Sequence, residues 1–198
     1  PSSQYHDPKT LAEAVGLLGK LENAKLLAGG QSLMPMLNMR FVLPDHVIDL
    51  NRVTEMSGIR DADEAIEIGA MTRQRAIERD PTVKAKAPIL AEALAHVGHI
   101  QTRSRGTIGG SLCHLDPSAE QASICALYDA TLEVAGPRGT RQIPMSDWGL
   151  AFMTPAVEPD EALVRIRLPV WKEAHGYGFE EFARRHGDFA ICTSAVLL

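Results

Sequence analysis

Two glycine pairs, Gly29-Gly30 and Gly109-Gly110, constrain this chain more than any other feature. The first follows Ala24-Lys25-Leu26-Leu27-Ala28, a short apolar run that reads as a strand. Gln31 to Arg40 comes next and reads as a short Leu- and Met-rich helix, with Pro35 limiting its first turns. Strand, glycine turn and helix therefore follow one another. A helix start carries unpaired N–H groups and the positive end of the dipole, so it favours an anion. Glycine keeps side chains out of the approach, and Ser32 adds a hydroxyl donor. Taken alone, Gly-Gly after a strand is more often an ordinary turn.

The second loop, Arg105-Gly106-Thr107-Ile108-Gly109-Gly110-Ser111, repeats the chemistry of paired glycines and hydroxyls, with Arg103 and Arg105 nearby. Two such loops suit a diphosphate, which has two anionic centres. Neither is followed by the Gly-Lys-Ser/Thr of a P-loop, and neither has the Gly-x-Gly-x-x-Gly of a Rossmann site. Downstream, Asp116-Pro117 reads as a helix start, and Glu120 then lies one turn into that helix. Glu120 is suited to supporting the helix dipole or to hydrogen-bonding a ribose or ring edge.

The rest of the chain mixes helices and strands without regular βαβ alternation, which predicts an α+β fold in two lobes. Asp7-Pro8 is expected to start the first helix, with Leu11, Val15, Leu18 and Leu21 on its apolar face. His46 to Leu50, Ser57 to Arg60, Ala65 to Ala70, Ala162 to Leu168 and Tyr177 to Arg184 read as strands. Thr131 to Ala135 and Thr140 to Ile143 read as a hairpin. Helices are expected over Thr72 to Arg79, from Asp80-Pro81, over Pro88 to Val97 and over Glu120 to Ala130. Gln101 to Ser111 reads as a polar loop. A lobe boundary falls near Arg52 to Ser57, dividing the chain into 1–55, 56–175 and a final 176–198. Ala190 to Leu198 is a last apolar run, whose edge must be paired or covered.

The net charge of -5 argues against nucleic-acid or anionic-membrane partners. The three cysteines, Cys113, Cys125 and Cys192, are an odd number with no Cys-x-x-Cys. With no signal-like start and no apolar run long enough for a bilayer, they suggest the cytoplasm. His96, His99 and His114 lack the spacing of a zinc site, so no metal is expected. Ser111 with His114 lacks a nucleophile-elbow motif. Cys113 reads as buried filler, Arg103 and Arg105 as loop-securing residues, and Tyr177 and Phe179 as strand core positions.

Two longer motifs then resemble a known family in order and spacing. Ala28-Gly29-Gly30-Gln31-Ser32 with Leu33 to Leu37 resembles the first FAD motif of the molybdopterin-dehydrogenase flavin subunits. Thr107-Ile108-Gly109-Gly110-Ser111-Leu112 with Asp116 to Glu120 resembles the second. Glu161 to Pro169 and Arg184 to Ala190 extend the resemblance over nearly the whole chain. The family includes the medium subunit of aerobic carbon monoxide dehydrogenase and the flavin domain of xanthine dehydrogenase.

The resemblance implies the two-lobed FAD-binding fold shared with vanillyl-alcohol oxidase, and FAD as cofactor. It implies FAD contacts at Ala28, Gly29, Gly30, Gln31, Ser32, Thr107, Ile108, Gly109, Gly110, Ser111, Glu120 and Leu163. An iron–sulfur small subunit would deliver electrons, and a molybdopterin large subunit would carry out hydroxylation. No acid–base catalyst is expected in this chain, because the flavin supplies the redox chemistry. Many relatives carry a lysine just before the Arg-Arg-x-Gly-Asp stretch, where this chain has Glu181. The usual small C-terminal domain would begin where this chain stops, so a chain lacking that domain is expected. A self-contained FAD-dependent oxidoreductase and a non-catalytic remnant of the same fold remain alternatives at this point.

Overall fold

The computed structural model describes residues 3–171 and 175–198. The chain opens as a small parallel unit: β1 (Gln4–His6), α1 (Leu11–Leu18), β2 (Ala24–Leu27), α2 (Leu33–Asn38) and β3 (His46–Asp49). Its sheet has the order β1-β3-β2, with both neighbours parallel to β3. Ala14 and Leu18 of α1 and Ile48 of β3 are buried in the core. No apolar run or alternation marks β1, which is three residues long and mostly polar.

The first helix starts later than expected. Its cap is Thr10, whose hydroxyl accepts from the Glu13 N–H at 3.2 Å. Asp7 is instead held by Arg52 at 2.8 Å. Asp7 and Thr10 are both capable caps; pairing with Arg52 takes Asp7 out of that role.

Two 3₁₀ turns, Leu50–Arg52 and Thr54–Met56, lead into the second lobe. Its sheet is antiparallel, in the order β4-β5-β10-β6-β7. The strands are β4 (Ile59–Asp61), β5 (Ala65–Gly69), β6 (Thr131–Gly136), β7 (Gly139–Pro144) and β10 (Ala162–Pro169). Central β10 buries Leu163, Val164, Ile166 and Leu168, each worth roughly 1.5–3 kcal/mol of burial. A bulge lies between Leu163 and Arg165, and the Val164 carbonyl there accepts from the Ala70 N–H at 2.8 Å.

Between β5 and β6 lie α3 (Gln74–Arg79), α4 (Pro81–Lys86), α5 (Pro88–His96), α6 (Ile100–Arg105), α7 (Ile108–His114) and α8 (Glu120–Leu127). Asp80 caps α4 as its sequence suggests, accepting from Thr82 and Val83. The expected loop over Gln101 to Ser111 is mostly helix, contributing α6 and the start of α7. The start of α8 also differs. Asp116 forms a local turn with the Ser118 N–H at 2.9 Å, and Glu120 is the first helical residue rather than one turn in.

A small ribbon, β8 (Gly149–Ala151) and β9 (Thr154–Pro155), follows the 3₁₀ turn Met145–Asp147. Fully buried Trp148 donates its indole N–H to the Leu112 carbonyl at 2.8 Å, tying this ribbon to α7. Finally β11 (Tyr177–Ala183) and β12 (Ala190–Leu197) form an antiparallel hairpin of their own. Phe179 and Leu197 point into the core, and the hairpin packs on α5 and α8.

Candidate cofactor site

A cavity of about 800 Å³ opens where the end of β2, the start of α7 and the loop joining β11 to β12 meet. Small-molecule sites commonly measure roughly 300–1,000 Å³. Ala28, Gly29, Gly30, Gln31 and Ser32 line it from the first loop. Thr107, Gly109, Gly110 and Ser111 line it from the second, and Glu120 and Leu163 also reach it. Ile108 does not: its side chain is fully buried in the core.

The two loops do different work. In the first, Gly30 turns at φ +73°, a conformation suited to glycine. The N–H groups of Gly30, Gln31, Ser32 and Leu33 meet no protein acceptor among the described residues. They form a row of open donors at the cavity wall. In the second loop the donors are already used. Ile108 donates to the Thr72 carbonyl at 3.2 Å and Gly109 to the Ala70 carbonyl at 2.9 Å. Gly110 donates to the Thr107 hydroxyl at 3.1 Å, and Ser111 to the Thr107 carbonyl at 3.2 Å. The repeated chemistry suggested by sequence therefore reduces, on this side, to side-chain hydroxyls and a close-packed surface.

Glycine explains that packing. A Cβ at Gly109 would sit 2.6 Å from the Ala70 Cβ, so α7 can approach β5 only with glycine there. A Cβ at Gly29 would meet the Arg105 carbonyl group and lie 2.7 Å from the Gly106 Cα. The first loop thus lies directly against the second.

A polar bracket behind the loops was invisible in the sequence. Asn51 donates to the Ala28 carbonyl at 2.9 Å and to Asp49 at 2.5 Å. Arg73 donates to the Asn51 side-chain oxygen at 2.5 Å and to the Arg105 carbonyl. One guanidinium therefore holds both loops. Burial, and then the neighbouring Arg105, push its pKa down. The bracket spans residues 22 and 32 positions apart, and no local pattern announces such a link.

Other candidates find ordinary places. Arg103 is buried, pairs with Glu78 at 2.9 Å and donates to the Val97 carbonyl, so it secures the chain rather than facing the cavity. Glu78 is held below its usual range by Arg103 and Arg75, against the opposing effect of its burial. Burial pushes the Cys113 and Cys125 thiols up to about 12, which leaves them poor nucleophiles. His96 sits against Phe179 and His99 against His186, each ring pair tilted. Among the described residues, no group of three His, Cys, Asp or Glu side chains is placed to hold a metal. Glu161 at the cavity wall accepts two bonds from Arg141, at 2.8 and 2.7 Å, which lowers its pKa. Glu120 differs: burial first, then Glu181 and Asp116, push its pKa up to about 7.

A two-lobed α+β domain with a row of open backbone donors over a ligand-sized cavity defines a nucleotide-cofactor-binding domain. Residues 1–171 match the family described as the FAD binding domain in molybdopterin dehydrogenase, and the chain belongs to that family. It is 40% identical to the carbon monoxide dehydrogenase medium chain of Hydrogenophaga pseudoflava, covering 100% of this chain and 69% of the relative. It is 38% identical to the 6-hydroxypseudooxynicotine dehydrogenase complex subunit alpha of Paenarthrobacter nicotinovorans, covering 100% and 67%. The solved carbon monoxide dehydrogenase from Hydrogenophaga pseudoflava superposes with a TM-score of 0.97 over 100% of this chain and 69% of that one. The chain is thus an FAD-binding part of an oxidoreductase. Among the described residues no helix is long and apolar enough to cross a membrane.

Proposed function

We propose that this chain holds FAD within a molybdenum hydroxylase complex and serves electron transfer from an iron–sulfur subunit to an external acceptor. Hydroxylation of the substrate would take place in a molybdopterin subunit. The observation that carries the reading is the row of N–H donors without protein acceptors from Gly30 to Leu33, residues that all line the cavity, with the second loop packed against the first. Such a row suits a phosphate oxygen without requiring a lysine.

The residues present fit FAD in a divided way. Ala28, Gly29, Gly30, Gln31 and Ser32 would hold the diphosphate through backbone donors. Thr107, Gly109, Gly110 and Ser111 would shape the facing wall, with the Ser111 hydroxyl as a donor. Ile108 would act from the core by fixing α7. Glu120 and Leu163 would contact the rest of the cofactor. Bound FAD would supply the reversible redox chemistry, and the protein its position and electrostatics. Residues 1–55 would then be one FAD-binding lobe, 56–175 the second, and 176–198 the start of a further domain. The three free cysteines accord with a reducing, cytoplasmic setting.

Titration of the purified chain with FAD, followed by quenching of flavin fluorescence, tests the cofactor. Saturable binding that is lost on Gly30→Val is expected; unchanged binding by that variant would remove the loop assignment. Co-purification with an iron–sulfur and a molybdopterin subunit tests the complex. Turnover of a small substrate by the chain alone would instead indicate a self-contained oxidoreductase.

A further inference from the structure

We propose that Glu120 and Glu181 hold one proton between them at neutral pH, presenting a neutral carboxylic acid at the wall of the cofactor cavity. Glu120 is the first residue of α8, lines the cavity and is 7% exposed. Glu181 comes from β11, far away in sequence, and its side chain is 4% exposed. Glu181 lies close enough to Glu120 for its charge to bear on the Glu120 carboxyl. Glu181 Oε2 is buried and has no donor.

A carboxylate pair in that position has two ways to be stable. A cation can neutralise it, or a proton can join it. Among the described residues no Lys or Arg nitrogen lies within 4.0 Å of either carboxylate. The groups facing the pair are few. From α5, His96 Nδ1 stands 3.8 Å from Glu181 Oε1, within ion-pair range when its ring is charged but too far to hydrogen-bond it. From the turn before α8, Asp116 adds a further negative charge. From β12, the residue opposite Glu181 is Thr193, which carries no charge. A proton on Glu120 gives the buried pair a donor and removes the repulsion in one step.

Glu120 is the member of the pair that reaches the cavity assigned above to FAD. That reading bears on which ligand meets the acid, not on whether the proton is there. The test is infrared spectroscopy of the full chain in deuterated buffer, from about pH 5.5 to about 8.5, where ordinary carboxyls near pKa 4 are already ionised. We expect a protonated-carboxyl carbonyl band that titrates away near neutrality. It should vanish in Glu120→Gln. In Glu181→Lys the neighbouring ammonium should move its midpoint to markedly lower pH. Absence of the band from the unmodified chain across this range would overturn the proposal, as would an unchanged band in a folded Glu120→Gln variant. FAD titrations on the same samples separate the two readings: a band without FAD binding upholds the pair and sinks the cofactor assignment.

Discussion

Gly29→Ala is the most incisive single change the fold offers. The added Cβ would lie 2.7 Å from the Gly106 Cα and 2.9 Å from the Arg105 carbonyl carbon. Comfortable carbon contacts need about 3.5–4.0 Å, so one loop must withdraw by roughly 1 Å. Both neighbours are backbone, and no side chain can rotate out of the way. Overpacking of this kind costs about 1–3 kcal/mol. The same displacement would move Gly29–Ser32 away from the second loop. Loss of one charge-assisted bond to a phosphate, worth roughly 1.5–3 kcal/mol, would weaken FAD binding about ten- to hundredfold. Urea melts give the first quantity and fluorescence titration the second. Gly16→Ala is the control, because nothing lies within 4 Å of its added Cβ. Gly16 sits inside α1, so the change should raise stability by about 0.5–1 kcal/mol and leave FAD affinity alone. A Gly29→Ala variant with the stability and affinity of the parent would refute the claim that the loops bear on each other.

Two further outcomes follow from the polar groups. Glu120 has its pKa raised from 4.5 to about 7, so the folded state holds its proton more tightly than the unfolded chain. Its contribution is therefore full below about pH 4.5, is lost as pH rises, and levels off above about pH 7, a total of about 3 kcal/mol. Denaturant midpoints of the parent and of Glu120→Gln should diverge in that window; parallel curves would contradict it. Arg73→Met removes the donor shared by Asn51 and the Arg105 carbonyl and should cost about 1–2 kcal/mol. Arg73→Lys should not restore it, since one ammonium cannot replace the two-armed fork; full recovery of stability and FAD affinity by the lysine variant would show that charge alone suffices there.

The strand pattern was largely legible because burial writes it plainly. The apolar residues of β10 and the turn between β6 and β7 can be read directly from their order. The helix α7 was not legible, because Gly109 and Gly110 are poor helix formers. What makes it a helix is the local Thr107 cap joined to a tertiary fit, Gly109 against Ala70. The candidate site was legible as two motifs, yet their unequal roles were not. Which N–H groups remain open depends on Thr72 and Ala70, which approach the second loop from another element. Asn51 and Arg73 escaped for the same reason. The contact between Glu120 and Glu181 joins residues that only the folded hairpin brings together.

That hairpin has one more consequence. Gly187, Asp188 and Phe189, at its turn, form part of the cavity wall. Among the described residues β11 and β12 pair with each other and with neither of the larger sheets. Two-stranded ribbons are marginal by themselves and depend on what they lean against. Its detachment from α5 and α8 would therefore be a partial unfolding event, cheaper than melting the domain. Amide protons of Phe179 to Phe182 should then exchange with solvent well before those of Ile66 to Ile68, and equal protection would exclude such an opening. The wall formed by this hairpin would thus be able to yield to an entering molecule while the two larger sheets stay intact.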